Sequence, residues 1–309
     1  MPHMKAIYNY LRRYFKETVD LRYLLLLTVL LSLLTAFFYS DKARLQWIGG
    51  GANDSMRLLW NFCIFGGTLI GAILLYLPFA KDKTWIRSPK FWLAVFIGAA
   101  TFSFATFFYW HKEWIKTITD GPVEVFLLRI SRYPANVVLL MLPAFLWWWF
   151  EDRNREPFYG LKRTNVKPYL FLLLMMVPLI TAATFSADFL KQYPQAIRML
   201  NAAKIEDNRL GYGLVFEGFY GLNFVVTEFF FRGFLLFVLS RWLGHGAVLP
   251  VAALYVTIHF GKPLGETISS FFGGIILGVI ALETRSVWGG VLIHLGIAWG
   301  MELAAALAR

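Results

Sequence analysis

The stretch Thr227-Glu228-Phe229-Phe230-Phe231-Arg232-Gly233 lies inside a long apolar run from Tyr212 to Trp242. A carboxylate and a guanidinium are costly in sequence of hydrocarbon length. An ionisable residue in a membrane span marks a functional site when a partner for it can be named. Arg232 is the local partner of Glu228, since residues four apart share one face of a helix. Two later apolar runs each bring one histidine to similar depth, Tyr255-Val256-Thr257-Ile258-His259 and His294-Leu295-Gly296-Ile297-Ala298. One carboxylate, one guanidinium and two imidazoles, all on helices, make the candidate site.

The rest of the composition fits this reading. The chain has 309 residues, 58% of them hydrophobic and 18% aromatic, with a mean hydropathy of +0.56. A soluble domain is nearer ~45–50% apolar. Several runs reach the roughly 18 residues that cross a bilayer. The expected fold is an all-α polytopic membrane protein of about eight to nine transmembrane helices, with a four-helix core at the C-terminal end. The single cysteine, Cys63, excludes an intrachain disulfide framework and a cysteine-based zinc site. The net charge of +11 lies mostly in the loops between apolar runs. That pattern points to lipid headgroups and membrane topology and away from nucleic acid.

Taken in order, residues 1–22 form a basic membrane-surface segment. The apolar run that follows is long for a signal sequence and has no small-residue cleavage site after it. Residues 23–185 hold five expected spans, 23–39, 58–79, 91–110, 135–150 and 169–185. The first loop is marked by Gly49-Gly50-Gly51 and Asn53-Asp54, and the fourth span closes on Trp147-Trp148-Trp149. A polar loop is expected over 186–211. Residues 212–309 hold the last four spans, 212–242, 247–260, 267–283 and 287–307. In the third of these, Gly274 and Gly278 allow a close helix contact. Alternating the spans gathers the N-terminus, 80–90 and 151–168 on one side with 14 Lys and Arg, against 11 in the opposite loops. The N-terminus is therefore expected in the cytoplasm.

Each candidate has a structural and a chemical reading. Glu228 with Arg232 is either an ion pair that fixes helix packing or a general base, or metal ligand, held by its partner. His259 and His294 beside Glu228 complete a set that can hold a divalent metal such as zinc. The same set can hold a water and an oxyanion without metal. The soluble H-E-x-x-H zinc signature is absent. Glu266, just past the Gly261-Lys262-Pro263 turn, is either an interfacial charge or the group that orients His259. Glu217, three turns before Glu228, reads as a headgroup-level charge. Glu302, two turns past His294, reads as solvent-facing.

Glu228-x-x-x-Arg232, the aromatic Tyr255 four before His259, and His294 in the last span resemble the CPBP family of intramembrane proteases. That family includes the type II CAAX prenyl endopeptidases. Phe230-Phe231-Arg232-Gly233 and Ser286-Val287-Trp288-Gly289-Gly290-Val291-Leu292-Ile293-His294 share the family's flavour, and the resemblance covers about 210–305. It implies catalytic roles for Arg232, His259 and His294, and for Glu228 with the one remaining carboxylate serving as base, with Thr227, Tyr255 and Ala298 at the family's neighbouring positions and Glu266 around them. The chain departs from the family in two places. Thr227 stands where the family has the first of two glutamates, and Ala298 stands where it often has Asn or Asp. The implied activity is hydrolysis of a peptide bond near the C-terminus of a membrane-bound protein or peptide. The two departures support an alternative, a catalytically inactive membrane binding or immunity-like protein on the same scaffold. A proton-relay transporter would show a duplicated half, and the sequence has none.

Overall fold

A computed structural model of the chain describes residues 2–41, 54–155, 157–162 and 164–308. The glycine-rich loop at 49–53 and Arg163 lie outside the described residues. The chain is all-α. Among the described residues, seven stretches are long and apolar enough to cross a membrane, and Lys167–Ala183 is a shorter apolar helix. One of the seven, Arg209–Thr257, doubles back on itself. Gly244 takes a positive φ of 56°, a conformation that glycine adopts without steric cost. The chain reverses there, so that Arg232 before the turn meets Tyr255 after it.

The first half begins with α1 (Pro2–Glu17), which packs on helices from the second half, and α2 (Leu21–Tyr39). Asp20 caps α2 by accepting the Arg22 N–H at 2.9 Å. Only a stripe of α2, Tyr23, Leu27, Leu31 and Phe38, is buried, and Leu21, Leu25, Leu26 and Leu33 face outward as a lipid-facing surface does. Then come α3 (Asp54–Tyr76), α4 (Pro89–Phe107), the short α5 (Trp110–Ile118) and α6 (Gly121–Ile130), and α7 (Arg132–Trp147). The C-terminal half holds α8 (Lys167–Ala183), α9 (Ala187–Gln192), α10 (Gln195–Ala202), α11 (Arg209–Glu228), α12 (Leu236–Leu243), α13 (Val248–Thr257), α14 (Leu264–Thr284) and α15 (Trp288–Leu307). A π-helical stretch, Phe229–Leu235, joins α11 to α12.

The expected loop over 186–211 is largely helical. The physical reason is amphipathicity: Met199 and Leu200 of α10 are buried against Phe216 and Tyr220 of α11, while Arg198 and Asn201 face outward. Gly274 and Gly278 do bring two helices close. A Cβ on either would come within 3.1 Å of Ala252 or Val248 of α13.

Polar contacts gather at the two ends of the bundle. At one end Glu283 takes Arg13 and His245, Lys90 pairs with Glu151, and Asp152 takes Arg241 and Tyr159. At the other, the Tyr39 hydroxyl donates to the Lys262 carbonyl at 2.6 Å, and Tyr193 donates to Glu266 at 3.0 Å.

Asp152 has a particular task. It is fully buried and anchors the segment 157–162, which runs beneath the π turn. Burial, and then the Asp152 carboxylate, push the Tyr159 hydroxyl far above its ordinary range, so it stays a donor. Gly233 admits this segment, since a Cβ there would lie 2.7 Å from the Tyr159 carbonyl. Asp152→Ala should therefore lower stability by about 3–5 kcal/mol, the cost of leaving a buried pair half-made. Glu151→Ala, which removes a solvent-exposed pair, should cost about 0–1 kcal/mol. Thermal unfolding in detergent compares the two, and equal effects would remove Asp152 from this role.

Candidate active site

The π stretch sits at the centre of the molecule, and every residue from Phe229 to Leu235 is buried. A π turn inside an α-helix is uncommon and recurs at functional sites. Glu228 precedes it and Arg232 lies within it. Arg232 Nη1 is 3.0 Å from Glu228 Oε1, with the two side chains 2% and 0% exposed. The α15 histidine reaches the same oxygen: His294 Nδ1 is 2.8 Å from Glu228 Oε1. An ionised carboxylate only accepts, so Nδ1 carries the proton and Nε2 presents a lone pair. Gly290, one turn before His294, leaves room for the carboxylate. A Cβ there would come within 2.5 Å of Glu228 Oε2.

Tyr255 joins the remaining groups. Its ring lies under the Arg232 guanidinium, 3.9 Å from Cζ to centroid, a cation–π contact in a water-poor setting. Its hydroxyl is 3.3 Å from both ring nitrogens of His294. Its backbone carbonyl accepts from His259 Nδ1 at 2.9 Å. A carbonyl cannot donate, so His259 too carries its proton on Nδ1 and offers an acceptor at Nε2. The Thr267 hydroxyl holds the His259 carbonyl at 2.8 Å, and the ring of Phe224 stands edge-on to His294 at 4.5 Å. The structure thus gathers Glu228, Arg232, His259 and His294 around one tyrosine.

The other candidates lie nearby with different partners. Glu266 takes Lys262 Nζ at 2.5 Å and the Tyr193 hydroxyl, while the His259 ring is held by Tyr255. The Thr227 hydroxyl donates to the Asn223 carbonyl at 2.8 Å in its own helix. Asn223 in turn accepts from Asn136 of α7 at 3.0 Å. Ala298 is buried among aromatic side chains of α6, α7 and α11. Glu302 is buried rather than solvent-facing, and it accepts the Gln195 and Ala196 N–H groups at 2.9 and 3.2 Å. Glu217 lies against it, with Trp299 beside them.

A zinc site would require Glu228, His259 and His294 to converge. Among the described residues, no group of three His, Cys, Asp or Glu side chains is placed to hold a metal ion. Glu228 Oε1 is instead shared by Arg232 and His294. The donors as arranged do not fit a metal, and no step below runs through one.

Comparison with known families bears on the same segment. Residues 213–300 match the Rce1-like family of type II CAAX prenyl endopeptidases. All the side chains gathered around Tyr255 fall inside the Rce1-like segment. No curated protein and no solved structure matches the chain. The apolar helices make this an integral, multi-pass membrane protein, and its last third is similar to the Rce1-like family.

Sequence reading missed two features of the site. The hydroxyl of Tyr255 is legible in the sequence only as an aromatic, and Gly290 only as a member of the stretch from Ser286 to His294. The buried pair has a direct energetic test. Glu228→Gln or Arg232→Met alone leaves one charge or polar group uncompensated and should cost about 3–5 kcal/mol. The double variant should cost less than the sum, with a coupling of about 0.5–3 kcal/mol. Thermal unfolding of the four proteins in detergent measures it, and strict additivity would mean the pair is not coupled.

Proposed function

We propose that this protein is an intramembrane endopeptidase. It hydrolyses a peptide bond near the C-terminal end of a membrane-bound protein or peptide, as a CAAX protease does. The observation that carries this reading is the line Glu228–His294–Tyr255 inside the Rce1-like segment.

The geometry favours His294, rather than Glu228, as the group that meets water. Glu228 is fully buried, and one of its oxygens is shared by two cations or donors. The His294 side chain keeps 15% of its surface exposed. With Nδ1–H fixed on Glu228, Nε2 takes a proton from water as the water oxygen attacks the scissile carbonyl carbon. The Glu228 carboxylate offsets the positive charge that forms on the ring. The proton on Nε2 then passes to the leaving amine nitrogen as the C–N bond breaks. The Tyr255 hydroxyl, not committed to a short bond, is the donor for the oxygen that gains charge. His259 Nε2 is an acceptor that can hold a water or a substrate N–H. Arg232 keeps Glu228 charged and in place.

The test is cleavage of a fluorescence-quenched peptide bearing a prenylated cysteine near its C-terminus, by purified full-length protein in detergent. Glu228→Gln should lower the rate by about 10²–10⁴-fold, and Tyr255→Phe should lower kcat by about 10²–10³-fold with little change in KM. Undiminished cleavage by Glu228→Gln, or by His294→Ala, would sink the mechanism.

Thr227 and Ala298 favour one other reading, a non-catalytic binding protein. Neither position offers the carboxylate or amide that the family pattern places there, and the Thr227 hydroxyl is turned to its own backbone. On that reading wild type binds the peptide without cutting it, and Thr227→Glu adds no activity.

A further inference from the structure

A cavity opens at the bundle end that carries Lys262, Glu266 and Tyr193. It encloses about 500 Å³ between α5, α6, the start of α7 and α10, the size of a small-molecule site. Lys112, Arg129, Arg132 and Arg198 line it, and no carboxylate does. Leu128 and Met199 supply apolar wall. Glu302, beside α10, already accepts two backbone N–H groups at the start of that helix. Arg132 is oriented by its neighbour: its guanidinium stands 4.8 Å from the Tyr133 ring centroid and donates to the Tyr133 hydroxyl at 3.0 Å.

We propose that this cavity binds a phosphoryl anion, presented as the headgroup phosphate of an anionic phospholipid. Three guanidinium groups around one hollow repel each other, and an anion seated among them relieves that repulsion with charge-assisted, two-pronged hydrogen bonds. The mixed wall matches a molecule that is charged at one end and apolar at the other. The setting is interfacial. Trp110 and Trp114 of α5, the helix that also carries Lys112, are 65% and 63% exposed, as tryptophans of a membrane-interface belt are. Basic pockets between helices at headgroup level are recognised lipid sites. Nucleic acid is a poor fit, because the hollow is single, bounded and partly apolar. The proposal stands apart from the peptidase reading, since none of these residues touches the Glu228 site.

The experiment is thermal unfolding of purified full-length protein in a neutral detergent, with phosphatidylglycerol, phosphatidylcholine or inorganic phosphate added at equal concentrations. Phosphatidylglycerol should raise Tm by several degrees, as a ligand specific to the folded state does. Phosphatidylcholine should not. The Arg129→Gln, Arg132→Gln, Arg198→Gln triple variant should lose the rise. A control with Lys81→Gln, Lys83→Gln and Arg87→Gln, at the other end of the bundle, should keep it. A rise with inorganic phosphate equal to that with phosphatidylglycerol would assign the site to free phosphate and overturn the lipid source. No rise in wild type, or an equal loss in the control variant, would overturn the site itself. Should the triple variant fail to fold, Arg198→Gln alone should reduce the rise.

Discussion

The structure depends on how one carboxylate is kept at the centre of a membrane protein. Glu228 has no access to solvent, and an unpaired charge there would be prohibitively costly to desolvate. Arg232 and His294 both converge on Oε1, and the surrounding chain is shaped to let them. The π turn carries Arg232 towards Tyr255. Gly233 on that turn admits the Tyr159 backbone, and Gly290 on α15 admits the carboxylate. The tight contacts of the two glycines and the anchored segment 157–162 follow from where that charge sits. A buried ion pair of this kind adds little net stability compared with an apolar core, so its presence argues for a chemical use.

Much of this was legible beforehand. Runs of apolar residues must form helices in a bilayer, because the backbone finds no other hydrogen-bond partners there, and that made the helical fold readable from Tyr23 to Leu307. Ionisable residues stand out against such a background, which is why Glu228, Arg232, His259 and His294 could be named. The 186–211 segment was not readable, because its helices are short and gain their stability from packing on α11 rather than from their own sequence. The solvent-facing reading of Glu302 fails for a related reason. The N–H groups that satisfy it belong to α10, more than a hundred residues earlier in the chain.

Tyr255 shows a different limit. A tyrosine in an apolar run reads as an aromatic filler, and its hydroxyl gains meaning only from what surrounds it. Three facts fix its position: Arg232 on its face, His259 on its carbonyl and His294 at its hydroxyl. They come from the π stretch, from the turn that follows α13 and from α15, so no single stretch of sequence contains them. The hairpin at Gly244 is what brings the first two together.

The two departures at Thr227 and Ala298 can now be weighed against this geometry. Ala298 lies one turn beyond His294, packed among the aromatic rings of α6, α7 and α11. A polar group at that position would enter an apolar cluster in which Phe224 already presses on the His294 ring. The donor nearest the ring is instead Tyr255, which reaches His294 from α13. The Thr227 hydroxyl, likewise, is bonded to the Asn223 carbonyl of its own helix. On the peptidase reading, the carboxylate function rests wholly on Glu228 and the donor function has moved from α15 to α13. The water-activating step then falls to the imidazole that Glu228 orients. An enzyme arranged this way needs only one glutamate, and the loss of the first is no obstacle to it.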